Sequence, residues 1–161
     1  MLRPRKDPPE EIDNGSLAIF SPDCSAFWVS GGFADGNLKV VNAMTGKVTH
    51  TVSGTNPAWS RDSQNLFYFS GDNQIMVRDL PTSTSRLLLA VSDYVSCRAP
   101  GKGSVFNPVK AVSETELLWE YPISNQPLNG NRGTVAGKRV TYHAQTGEII
   151  KSEEGGISCG Q

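Results

Sequence analysis

This chain of 161 residues has few of the usual carriers of chemistry: two histidines, three cysteines and no long apolar run. A membrane-crossing helix needs about 20 consecutive apolar residues, and no stretch here supplies them. The opening MLRPRKDPPEEIDNG has basic residues but no apolar core after them. No secretory signal is therefore expected, and a cytoplasmic location is. Without a secretory route, the glycosylation pattern at Asn14-Gly15-Ser16 reads as chance. Cys24, Cys97 and Cys159 lie far apart and are odd in number. With no CxxC or Cys/His spacing, unpaired thiols in a reducing compartment are expected rather than a zinc site. A formal net charge of -1 leaves no basic excess, which argues against nucleic acid or an anionic membrane as partner.

What the chain does have is turn chemistry. Sixteen Gly and ten Pro, with many Ser, Thr and Asn, favour short strands over long helices. Residues 1–14, proline-rich and of mixed charge, read as a flexible lead-in or as a segment that needs a partner to order it. Residues 15–153 read as one β domain, and 154–161 as a flexible tail. Phe27-Trp28-Val29 and Leu66 to Phe69 are short aromatic or β-branched runs bounded by Ser, Gly and Asp. They are too short for helices and lack their period.

These runs recur. Ser21-Pro22-Asp23 returns as Ser60-Arg61-Asp62, Asp35-Gly36-Asn37-Leu38 as Asp72-Asn73-Gln74-Ile75, and Lys47-Val48 as Arg86-Leu87. A fainter third copy matches VVNAMTGKV, from Val40, with TYHAQTGEI, from Thr141. ELLWEY, from Glu116, supplies the strand before it, and the polar insertion PISNQPLNGNRGTVAG lies between. That third unit is either an elaborated blade or a diverged edge element. Asp35-Gly36 is a strong hairpin signal because both residues tolerate positive φ. Each unit of about 40 residues thus reads as a four-stranded antiparallel meander. The units lie at about 16–54, 56–93 and 104–153.

FSPD followed by VSGGFADGNLKVVNAMTGKV resembles a WD-repeat blade, and NPAWSRDSQNLFYFSGDNQIMVRDL resembles the repeat of TolB-like propellers. The resemblance implies an all-β fold of about three meander units, forming a partial or oligomer-completed β-propeller. The family's Trp-Asp position reads Val41-Asn42, Arg78-Asp79 and Tyr142-His143, and no Gly-His pair opens either good repeat. The family's Asp-to-His relay is therefore not carried over, and Asp35 and Asp72 read as hairpin formers. Propellers close with about four to eight blades. Three units imply that copies of the chain complete a ring, that a longer partner supplies blades, or that the chain is a compact incomplete fold.

No catalytic residue, cofactor or metal ligand is expected. His50 and His143 have no Ser or Cys in a motif such as GxSxG. APGKGS, from Ala99, lacks phosphate-loop spacing and reads as a connection. Asp23, Asp62, Asp35 and Asp72 repeat as turn residues. Trp28, Phe67, Tyr68, Phe69 and Trp119 are expected to fill space between blades. Because successive strand residues face opposite ways, one of Phe67 to Phe69 is expected to be exposed at an interface. The connection SDYVSCRAPGKG carries Tyr94, Arg98 and Lys102, the candidate binding residues. The expected function is a non-enzymatic protein-interaction or scaffold module that binds another protein or copies of itself. The alternatives are a ligand- or glycan-binding ring of several copies, and a propeller accessory to an enzyme encoded elsewhere. Divergence at Val41, Arg78 and Tyr142 favours the first.

Overall fold

In the computed structural model, residues 18–30, 37–71, 73–98, 104–105 and 109–158 are described. Among them the structure is all β. The first sheet orders β1 (Ala18–Phe20), β2 (Ala26–Ser30), β3 (Asn37–Asn42) and β4 (Val48–Ser53). The second orders β5 (Thr55–Trp59), β6 (Asn65–Phe69), β7 (Gln74–Asp79) and β8 (Thr84–Ala90). A two-stranded ribbon of β9 (Cys97–Arg98) and β10 (Ser104–Val105) follows. The third sheet orders β11 (Lys110–Ala111), β12 (Glu116–Leu128), β13 (Asn131–His143) and β14 (Ile149–Ser158). Every pairing is antiparallel between chain neighbours, so each four-stranded sheet is a meander. The chain divides after Ser53 into two compact units. Among the described residues no helix is long and apolar enough to cross a membrane.

The repeated residues build repeated turns. Ser21 Oγ donates to Asp23 Oδ1 at 2.7 Å and accepts the Ala26 amide at 3.1 Å, while Asp23 also accepts the Ser25 amide at 3.0 Å. Ser60 and Asp62 repeat this with the amides of Asn65 and Gln64, at 2.9 and 3.0 Å. Cys24 and Ser63 sit at the matching left-handed position, φ 60° and 62°. Asp23 and Asp62 are thus turn residues. The Asp35-Gly36 pair and Asp72 lie outside the described residues.

The turn after each third strand is held by the strand's last residue. Asn42 Oδ1 accepts the amides of Met44 and Thr45, at 3.0 and 2.9 Å. Asp79 Oδ1 accepts the Thr82 amide at 2.8 Å, and His143 Nδ1 accepts those of Gln145 and Thr146, at 3.3 and 3.4 Å. Asn42, Asp79 and His143 each place a side-chain acceptor at the right reach. The residue before the last turn position of each copy takes positive φ: Gly46 (67°), Ser83 (58°) and Gly147 (73°). Ala43, Leu80 and Ala144 then donate to Ser25, Gln64 and Thr115 carbonyls, tying the two turns of each sheet together.

The insertion PISNQPLNGNRGTVAG is neither loop nor edge element but an elaboration of the third blade. Asn129 and Gly130, φ 52° and 72°, make a two-residue hairpin turn, the geometry an Asn-Gly pair favours. β12 and β13 therefore run on as a long arm, with register shifts near Pro127. β14 follows β13 along this arm, pairing Thr134 with Ser158. Glu154 to Ser158, expected in a tail, are strand because the arm offers them a backbone ladder.

In the second unit, Phe67, Phe69, Ile75, Val77 and Leu88 pack with Leu117, Trp119, Tyr121, Val140 and Tyr142 in one core between sheets two and three. The expectation that one of Phe67 to Phe69 is exposed is wrong. All three are buried, because β6 is an interior strand covered on both faces. Arg61 Nε donates to the Ala111 carbonyl at 3.1 Å, and Arg86 Nη2 to that of Gln145 at 2.7 Å, fastening sheet two to sheet three.

Two substitutions test the turn argument by urea unfolding at unchanged slope. Ser83→Gly removes a left-handed penalty and raises stability by about 0.5–1 kcal/mol. Gly147→Ala places a Cβ 2.5 Å from the Leu88 carbonyl oxygen in a left-handed backbone. It lowers stability by about 2–4 kcal/mol.

Candidate functional site

The connection after β8 is rooted on sheet three before it departs. Val91 is buried in the core, and the Val95 amide donates to the Pro122 carbonyl at 2.9 Å. Between them Tyr94 stacks on Trp119, with centroids 5.8 Å apart and planes 19° from parallel, and packs near Tyr121 at 6.5 Å. Trp119 in turn meets Phe69 at 5.1 Å and Tyr121 at 4.6 Å. Tyr94 is therefore half-buried, and its ring serves as an anchor. Arg98 follows in β9, its backbone paired with Ser104, while Lys102 lies outside the described residues. The structure thus connects Tyr94 and Arg98 through one rooted segment and does not bring their side chains into a described cluster.

A polar cluster unforeseen in the sequence lies beside this root. Asp93 Oδ1 accepts the Tyr121 hydroxyl at 3.1 Å, and Asp93 Oδ2 accepts Lys138 Nζ. Glu154 Oε1 stands 4.0 Å from the same ammonium. Lys138 and Tyr121 are cross-strand partners, so β12 and β13 present both to the carboxylate. A cavity of about 340 Å³ opens here, lined by Asp93, Tyr121, Lys138, Tyr142 and Ser152 among others.

The charges are tuned by these neighbours. Burial raises the Asp93 carboxyl, but hydrogen bonds from Lys138 and Tyr121 and the Lys138 charge outweigh it and hold it below the ordinary value. The hydrogen bond to Asp93 raises Lys138 against desolvation. Burial, then the Tyr142 and Asp93 neighbours, push the Tyr121 hydroxyl up. Tyr142 is pushed up to about 12 by burial, with Tyr121 opposing and the Asp93 charge adding. Asp93 and Lys138 stay charged and both phenols neutral across ordinary pH. This is a clamp between the connection after β8 and sheet three, in which the Asp93 carboxylate is already satisfied by Tyr121 and Lys138. Among the described residues no group of three or more His, Cys, Asp or Glu could hold a metal ion. The sequence offered one clue to the cluster: Tyr142 stands where the repeats diverge.

No protein-family model matches the sequence, and no curated protein does. Solved structures do match by fold. Oligogalacturonate lyase from Vibrio parahaemolyticus superposes with a TM-score of 0.61 at 17% identity, over 86% of this chain and 42% of that one. The WD40 domain of Toxoplasma gondii coronin gives 0.58 at 11%, over 90% and 34%. The structure of U3-55K gives 0.57 at 12%, over 86% and 38%. This chain spans less than half the length of each. By fold the three sheets are propeller-type blades, and the fold is a partial β-propeller.

The clamp predicts a pH signature. A carboxyl lowered from 3.8 adds stability above that value and loses it as pH falls through the folded value. An ammonium raised from 10.5 adds stability below that value and loses it as pH rises through its folded value. The melting-temperature gap between wild type and Asp93→Asn should therefore stay level from about pH 5 to 9 and close in acid. Tyr121→Phe, which keeps the ring, should cost about 1 kcal/mol at neutral pH.

Proposed function

We propose that the chain is a non-enzymatic interaction module that presents connections between propeller-type blades to another protein or to further copies of itself. The observation that carries this reading is the rooted segment after β8. Tyr94 on Trp119 and Val95 on the Pro122 carbonyl fix where it leaves the core. Arg98 and Lys102 follow on that fixed root, so less ordering remains to be done on binding than for a free loop. Two cations without an acidic residue between Ser96 and Val105 suit an acidic patch on the partner.

The scaffold supports the same reading. Turn residues repeat from blade to blade, whereas the segment after β8 and the β12–β13 arm occur once each. Repeated turns hold a frame, and unrepeated elements supply specificity. The cytoplasm is the proposed location.

Proximity labelling by the full chain in cells, compared with Arg98→Glu/Lys102→Glu, tests the proposal. Neighbours labelled by wild type should fall at least about threefold with the double variant, while its melting temperature stays within about 1 °C of wild type. An unchanged labelling pattern rejects the segment as the contact. Turnover by the purified chain of any substrate in a hydrolase and lyase panel rejects the non-enzymatic reading.

A further inference from the structure

The cavity beside the Asp93 clamp is lined entirely by residues of the second compact unit. At about 340 Å³ it falls at the small end of ligand pockets, which run from about 300 to 1,000 Å³. It has room for one side chain rather than a large cofactor. Leu89 and Val91 line one wall, and Val140 and Ile149 the other. Ile149 is 65% exposed, so an aliphatic chain entering here has apolar surface to cover.

The polar groups at this place are out of balance. Asp93 and Glu154 are carboxylates, and Lys138 is the one ammonium between them. Asp93 and Lys138 are in close contact, whereas Glu154 Oε1, 4.0 Å from the same ammonium and largely exposed, lies beyond hydrogen-bond reach. The cluster therefore keeps one negative charge. Its phenolic protons are spent inward. The Tyr121 hydroxyl gives its single proton to Asp93, so its oxygen accepts from the neighbouring Tyr142 hydroxyl. What Tyr142 has left is oxygen lone pairs, beside the Ser152 hydroxyl. The remaining capacity of the cavity is mainly acceptors and a carboxylate.

We propose that this cavity takes an arginine side chain of a partner protein, its guanidinium against Glu154 and the Tyr142 oxygen and its methylene stem along Ile149. The proposal rests on the interaction-module reading and adds the chemistry of the partner. An anion would meet two carboxylates for one ammonium. A metal ion finds no group of three ligands among the described residues. A lysine brings a compact, strongly hydrated charge, whereas a guanidinium is more weakly hydrated and spreads five donors over a planar fork. That fork suits acceptors set apart on β13 and β14. Position favours a protein as the source. Asp93 directly precedes Tyr94, so a partner held by the segment after β8 lies near the cavity.

Nα-acetylarginine methylamide, titrated to about 50 mM into the full chain at fixed ionic strength and followed by backbone amide NMR, tests the site. Saturable shifts should centre on Ser92, Asp93, Lys138 and Ser152. The citrulline analogue, neutral and of nearly the same shape, should bind at least about tenfold more weakly. Glu154→Gln should weaken binding at least about threefold. Glu153→Gln removes the same charge from the opposite face of β14 and should leave binding unchanged. Shifts that are absent or scattered overturn the site, as does equal binding of the citrulline analogue or by Glu154→Gln. Because this titration uses no partner, its failure strikes the cavity alone and leaves the module reading standing. Proximity labelling tests the source. Glu154→Arg, whose own guanidinium opposes entry, should lower labelling of neighbours at least about threefold, with a melting temperature within about 1 °C of wild type. An unchanged labelling pattern overturns the assignment to a partner protein.

Discussion

A side-chain acceptor at the end of each third strand fixes the turn that follows, and the register of every sheet depends on it. Asn42, Asp79 and His143 each stop their strand by taking up amides that the ladder can no longer serve. A slip of one residue would carry the acceptor away from those amides. It would also send the alternating core residues to the opposite face. The bonds from Ala43, Leu80 and Ala144 to the neighbouring turns couple the two ends of the meander. Because turns are satisfied within each sheet, the sheet faces remain free for packing.

Where sheets two and three pack, small geometry decides the fit. Gly147 passes so close to the Leu88 carbonyl that a side chain has no place there. Arg86 reaches the carbonyl of Gln145 in the same turn. The turn residue that suits positive φ is thus the residue that permits close approach of the two sheets. At the other side of this contact, the Asp93 clamp and the Tyr94–Trp119 stack hold the departing connection. Backbone donors, an ion pair and aromatic stacking are distributed along one seam, around an apolar centre.

The frame was legible because turn chemistry is local. Ser-x-Asp and Thr-Gly occur at fixed places, and each produced the same turn wherever it was read. The sequence comparison nevertheless treated loss of the acidic residue at Asn42 and His143 as loss of a family feature. The structure shows that acceptor geometry was kept while residue type changed. The arm was read as an insertion because its polar residues mask strand alternation. Yet Asn129-Gly130 held a hairpin signal as strong as Asp35-Gly36. Beyond Tyr142, which stands where the repeats diverge, the clamp could not be read: Asp93 and Lys138 are 45 residues apart and share no motif. Their meeting follows only from the register of β12 on β13 and the path of the chain after β8.

The buried state of Phe67, Tyr68 and Phe69 carries a wider lesson about alternation. Period two says that neighbours face opposite sides, and does not say that either side is wet. Leu66, Tyr68 and the two phenylalanines leave β6 without a polar face, the composition of a strand covered twice. On β14 the same rule runs the other way, with Lys151, Glu153 and Glu154 along an exposed outer strand. Charged residues on an edge strand discourage pairing with another chain. Apolar content on both sides therefore distinguishes the interior of this assembly of sheets from its margin. By that measure the outer face of sheet three, with its paired charges, belongs to the margin of its unit.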